Sequence, residues 1–106
     1  MEEITHTENA KVFKAFCDEK RLTILELLRS GEKCACVLLE TVDIGQSTLS
    51  HHMGILIESG IVAARRSGKW TYYSINEAGS RKAAELLKEL TAVTSCICVI
   101  NEGCCQ

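Results

Sequence analysis

Proline is absent from this chain, and aromatic residues make up only 5% of it. With no proline-rich linker, internal repeat or low-complexity stretch, a single domain is the simplest organisation. No apolar run reaches the roughly 20 residues of a membrane-crossing helix. The opening Met1-Glu2-Glu3-Ile4-Thr5-His6 lacks the basic-then-apolar profile of an export signal, so the expected location is the cytoplasm, without a membrane partner. A strong charge of one sign is missing too. The net charge of −2 argues against indiscriminate nucleic-acid binding, yet a local basic patch can override so weak a total.

What is present is 106 residues, 46% hydrophobic and 25% charged, which suits one compact core and leaves little room for a second. A core of this size gains stability from an obligate dimer. Seven cysteines would suggest a disulfide framework in a secreted miniprotein. Here the count is odd, the helical pattern strong and the export signal missing, so metal or redox chemistry is the better default.

Helical spacing recurs at Val12, Phe13 and Phe16, then at Leu22, Leu25 and Leu28, with Ser30-Gly31 closing the second run. A short helix is expected from about Ala35 to Val42. Asp43-Ile44-Gly45 then forms a turn, with Gly45 as N-cap of the next helix and Ile44 spaced to staple against Leu49. From Gln46 to about Glu58, Leu49, Met53 and Leu56 make a buried stripe, while Gln46, Ser47, Ser50 and His51 gather on the exposed side near the N-terminal end. Short hydrogen-bonding side chains there suit a major groove. Thr48 and His52 complete the set assigned to DNA on this helix.

Ile61 to Arg66 and Trp70 to Ile75 read as two strands joined through Ser67-Gly68, with Arg65, Arg66 and Lys69 near the tip to attract phosphates. A basic hairpin directly after a helix-turn-helix predicts a winged helix-turn-helix, mainly α with a β-hairpin wing and an α+β fold class, whose partner is double-stranded DNA. Ala78 onward returns to helical spacing through Ala83, Leu86, Leu87, Leu90 and Val93. The expected division is a DNA-binding and dimerisation domain over residues 1–95 and a cysteine-containing tail over 96–106.

Cys34-Ala35-Cys36 sits where the third helix should begin. Two residues apart inside a regular helix, the thiols would point to different sides and could not share an ion. At the boundary the geometry changes, because an N-cap side chain folds back toward the second and third amides. With Cys34 as N-cap its sulfur can approach that of Cys36. The helix N-terminus and Lys33 would both favour thiolates, the metal-binding form.

The run Ser30-Gly31-Glu32-Lys33-Cys34-Ala35-Cys36-Val37-Leu38-Leu39-Glu40, followed by Gln46-Ser47-Thr48-Leu49-Ser50-His51-His52-Met53 and Gly68-Lys69-Trp70-Thr71-Tyr72-Tyr73-Ser74, resembles the arsenical-resistance repressors of the ArsR/SmtB family. The resemblance covers nearly the whole chain. It implies a homodimeric winged helix, paired through its first and last helices, that leaves operator DNA when an inducer binds. Arsenic-responsive members typically carry Cys-Val-Cys-Asp-Leu-Cys in the third helix. Cys34 and Cys36 match its first two thiols, but Leu39 holds the third position.

As(III) or Sb(III) is the inducer this implies, with Cd(II) or Pb(II) as alternatives of similar softness and no organic cofactor. A third ligand could come from Cys17, from a tail cysteine of either protomer (Cys96, Cys98, Cys104 or Cys105), or from a small thiol. A competing reading on the same fold is a thiol-redox or persulfide sensor joining an early cysteine such as Cys34 to Cys96 or Cys98. A metal-buffering protein would leave Gln46 to Lys69 unexplained. No nucleophile-base constellation or open metal site is legible, so an enzyme is not expected.

Overall fold

The computed structural model describes residues 5–94. Their order is α1 (His6–Lys14), α2 (Glu19–Leu28), β1 (Lys33–Cys34), α3 (Ala35–Val42), α4 (Gln46–Glu58), β2 (Val62–Ser67), β3 (Trp70–Ile75) and α5 (Glu77–Leu90). Local chemistry sets most of these boundaries. Thr5, Asp18 and Asn76 cap α1, α2 and α5 by accepting from backbone amides of the first turn. The third helix ends at Asp43, whose φ of 60° places it in the left-handed region that short polar side chains tolerate. Gly45 begins α4 without a side-chain cap, and Ile44 before it is half-buried against the core that includes Leu49.

The core gathers Ala15, Ile24, Leu28, Leu38, Val42, Leu49, Met53, Leu56, Ile61, Val62 and Ala83 from the C-cap of α1, the four later helices and the base of the hairpin. On α4 the expected Leu49–Met53–Leu56 stripe is buried. On α2 the expected stripe is rotated. Leu28 is buried, but Leu22 is 49% exposed and Leu25 half-buried, while Arg21 and Ile24 take the inner positions. A pattern of apolar residues alone skips an inward-facing arginine. Phe16 lies outside the core as well, lining a surface hollow with Leu22, Leu25, Ile61 and Ile75.

The sheet has three antiparallel strands in the order β1-β3-β2, one more than the sequence suggested. Two residues of β1 are too few to leave a pattern. In the hairpin, β2 extends through Ser67, which pairs with Trp70, so the turn is Gly68-Lys69 with Gly68 at φ 62°. A glycine with positive φ in first position suits a two-residue turn.

Gly79, in the first turn of α5, lies so close to the Gly60 carbonyl that a Cβ there would overlap it. Asn76 reinforces the contact by donating its amide to Ile61 O at 2.8 Å. The outer face of α5 leaves Leu87 and Leu90 about half exposed, and Val93 lies beyond the helix end, 93% exposed. Among the described residues no helix is long and apolar enough to cross a membrane.

Candidate functional site

Cys34 occupies the N-cap of α3 in extended conformation (φ −71°, ψ 147°), which turns its side chain back over the first turn. Its sulfur accepts the Cys36 amide at 3.4 Å and the Cys36 thiol at 2.7 Å. The two thiols therefore converge because one lies outside the helix. The Cys36 thiol hydrogen bond and the amides of Cys36 and Val37 hold the Cys34 thiol below its ordinary pKa. Donating that proton pushes Cys36 up. Both sulfurs belong to free cysteines, Cys34 half-buried and Cys36 exposed.

Lys33, expected to favour the thiolates, instead donates its ammonium to Ser30 Oγ at 2.8 Å and the Gly31 carbonyl at 3.2 Å. The preceding turn offers it two good acceptors. Cys17, exposed after α1, donates to the Phe13 carbonyl at 3.4 Å. Among the described residues no three side chains of His, Cys, Asp or Glu gather to hold a metal, so Cys17 does not join the pair within this chain. Leu39 packs against the core. Cys96, Cys98, Cys104 and Cys105 lie outside the described residues.

The thiol pair is tied directly to the hairpin. In the sheet Cys34 pairs with Tyr72 and Lys33 with Tyr73. One residue earlier, Glu32 receives Arg65 Nε at 3.0 Å and Nη2 at 2.8 Å in a two-point ion pair, and the Arg65 guanidinium stands 4.7 Å from the Tyr72 ring centroid. The Arg65 hydrogen bonds hold the Glu32 carboxyl below its usual range. Arg65 thus departs from its expected place among the free tip cations, since its guanidinium is engaged by Glu32.

Gln46, Ser47, Thr48, Ser50 and His51 are all exposed over the first turns of α4. His52 is not. It is 6% exposed, and its Nδ1 lies 2.9 Å from Arg21 Nη1. The helical period turns position 52 inward beside Leu49 and Met53, so His52 supports the helix from behind. Sequence reading missed Arg21 as its partner, because a buried arginine looks like any other charge on a polar helix face. Arg66 and Lys69 remain exposed at the hairpin end, and Lys69 Nζ lies 5.5 Å from the centroid of Trp70, itself 47% exposed. In the sequence Trp70 belongs to a strand and to the run that carries the family resemblance, without a role at the site. A large aromatic beside a turn lysine was the available signal.

Comparison with known proteins finds relatives in sequence and in fold. A family model described as bacterial regulatory protein, arsR family, matches residues 18–64, from the cap of α2 into β2. An uncharacterized HTH-type transcriptional regulator of Methanocaldococcus jannaschii is 42% identical over 82 residues, covering 76% of this chain and 92% of the relative. The arsenical resistance operon repressor of Staphylococcus aureus is 41% identical over 75 residues, covering 71% and 72%. In solution, a homodimeric winged helix-turn-helix DNA-binding domain from Mycobacterium bovis, a possible ArsR-family transcriptional regulator, matches with a TM-score of 0.66 at 31% identity, covering 83% of this chain and 82% of that one.

Proposed function

The chain belongs to the arsR family of bacterial regulatory proteins, and from that premise we propose that it is a dimeric, cytoplasmic repressor that leaves its operator when a soft metalloid or metal ion is held by Cys34 and Cys36. The observation that carries this reading is the convergence of the two sulfurs at 2.7 Å on a helix start joined to the hairpin. Two thiolates suit As(III) or Sb(III), with Cd(II) or Pb(II) as alternatives of similar softness, and a bound ion would take one bond from each sulfur as both thiol protons leave. A third bond would be completed by a cysteine of the 96–106 tail, by a partner protomer or by a small thiol.

DNA contact divides by position. Gln46, Ser47, Thr48, Ser50 and His51 face base edges, while Arg66 and Lys69 neutralise phosphates from the wing. One such helix reads too few base pairs for useful specificity, so two copies engage a two-fold symmetric site. The homodimeric relative supports pairing. The half-exposed Leu87 and Leu90 of α5 and the hollow between α1 and α5, lined by Asn9, Val12, Ala83 and Leu86, offer the surface for it.

Coupling from thiols to DNA follows the hydrogen bonds. Seating an ion requires the sulfurs to part, which disturbs the first turn of α3 and the Cys34 pairing with Tyr72. The disturbance then reaches the wing through β3 and the Glu32–Arg65 pair, and α4 through α3. Operator affinity falls only if that distortion is easier without DNA, as linkage requires.

Titrating the reduced protein on operator DNA with each ion, with hydrogen peroxide and with a persulfide donor tests the reading. Release by a thiophilic ion alone supports it. Release by peroxide or persulfide alone would replace it with the redox sensor. Repeating the titration without residues 95–106 assigns or removes a sensing role for the tail cysteines.

A further inference from the structure

Arg21 and His52 form a buried pair that the DNA face itself does not explain. Arg21, 5% exposed on α2, sends Nη1 to His52 Nδ1 at 2.9 Å and Nη2 to the Lys14 carbonyl at 3.0 Å, while its Nε is buried without a partner. One guanidinium therefore binds the end of α1, the start of α2 and the back of α4. A guanidinium has only donors, so the Nδ1 it meets must be a bare lone pair. His52 is held neutral, with its proton on Nε2, which points toward Asp18 Oδ1 at 3.9 Å.

We propose that the Arg21–His52 hydrogen bond is a proton-sensitive latch that seats the DNA-reading helix, so that protonation of His52 releases α4 and weakens operator binding. Both are positioning residues, and the proposal rests on α4 being the helix that meets DNA. A second proton on the ring would fall on Nδ1, directly against Arg21, and set two cations together in a site closed to water. The charged and titratable groups around the ring are Asp18, Lys20 and Arg21 of α2 and its cap, and His51 of α4. Asp18 alone favours the cation, and it also serves the Lys20 and Arg21 amides as their cap. Burial, with Arg21, His51 and Lys20, outweighs it and holds the ring below the usual histidine range.

The direction follows from linkage. DNA binding requires the seated helix and therefore favours the neutral ring, so acidification through and below the ordinary histidine range weakens binding. His52→Asn isolates this residue, because its amide carbonyl can replace Nδ1 as acceptor and cannot titrate, while the exposed groups of the DNA face, His51 among them, are common to both proteins.

The experiment measures operator affinity from about pH 7.5 to about pH 5 for wild type and His52→Asn, each normalised to its own value at the upper end. The expected result is an acid loss larger by about fivefold or more in wild type. Equal acid profiles would overturn the latch. Nitrogen chemical shifts of the wild-type imidazoles give a second reading that needs no variant: Nδ1 of His52 should be unprotonated near neutral pH, and a proton found there would also overturn the proposal. If wild type shows no operator preference near neutral pH, the reading of α4 fails, and this proposal with it.

Discussion

Arg65 holds both carboxylate oxygens of Glu32, at 3.0 and 2.8 Å, and thereby fastens the wing to the residue two before the Cys34 cap. Glu32→Gln keeps the shape but removes the charge and one acceptor oxygen. Inducer binding at the thiols should persist, while the ratio of operator affinities without and with inducer should shrink by about threefold or more. A calorimetric inducer titration beside an operator titration checks both halves. An unchanged ratio would show that the wing is not on the route.

Gly79→Ala should lower stability even though alanine is the better helix former by about 1 kcal/mol. Its methyl group would overlap the Gly60 carbonyl, which is backbone and cannot swing aside, so α5 must shift at a cost of about 1–3 kcal/mol. Thermal unfolding and sedimentation together test this. Because Ala83 and Leu86 are carried on the same helix, the variant should also dimerise less tightly.

Removing a phosphate contact and removing a base contact should look different. Arg66→Ala or Lys69→Ala is expected to weaken binding to all sequences and to reduce the steepness of salt dependence by about one unit per cation. Ser50→Ala or His51→Ala should leave that slope nearly unchanged and relax discrimination between operator and altered operator by about 1–3 kcal/mol. Competition binding over a range of salt concentrations separates them.

The Cys36 thiol and two first-turn amides hold the Cys34 thiol below its ordinary pKa, so its thiolate persists to lower pH than an unassisted cysteine allows. Alkylation of Cys34 should therefore rise at lower pH than alkylation of a free cysteine peptide. Cys36→Ala, which deletes the largest contribution, should move the profile back to higher pH. Mass spectrometry of iodoacetamide adducts against pH reads the shift, and coincident profiles would remove the assigned cause.

Much of the site could be read from short-range rules. A cap position, a two-residue spacing and a glycine turn predicted the thiol pair, the start of α4 and the hairpin, because each depends on residues within about four of one another. What escaped depends on distant partners. Strand β1 exists only because Tyr72 and Tyr73 lie alongside it. Arg21 turns inward because His52, 31 positions later, accepts from it. Arg65 leaves the tip set because Glu32 reaches it across the sheet. On α2, counting only apolar residues set the inner face one step off, with Leu22 where Arg21 belongs. Membership of the 96–106 tail in the sensing site falls outside the described residues.

Whether Cys34 and Cys36 together receive the inducer is tested most directly by fluorescence anisotropy of labelled operator. Arsenite is added under reducing conditions to wild type, Cys34→Ser and Cys36→Ser, each already bound to DNA. Serine at position 34 can still cap α3, so both variants should fold and bind operator, whereas a neutral hydroxyl is a poor soft-metal ligand. Wild type should be released and both variants should stay bound. Normal release of either variant would contradict the assignment and move the sensing site elsewhere in the chain.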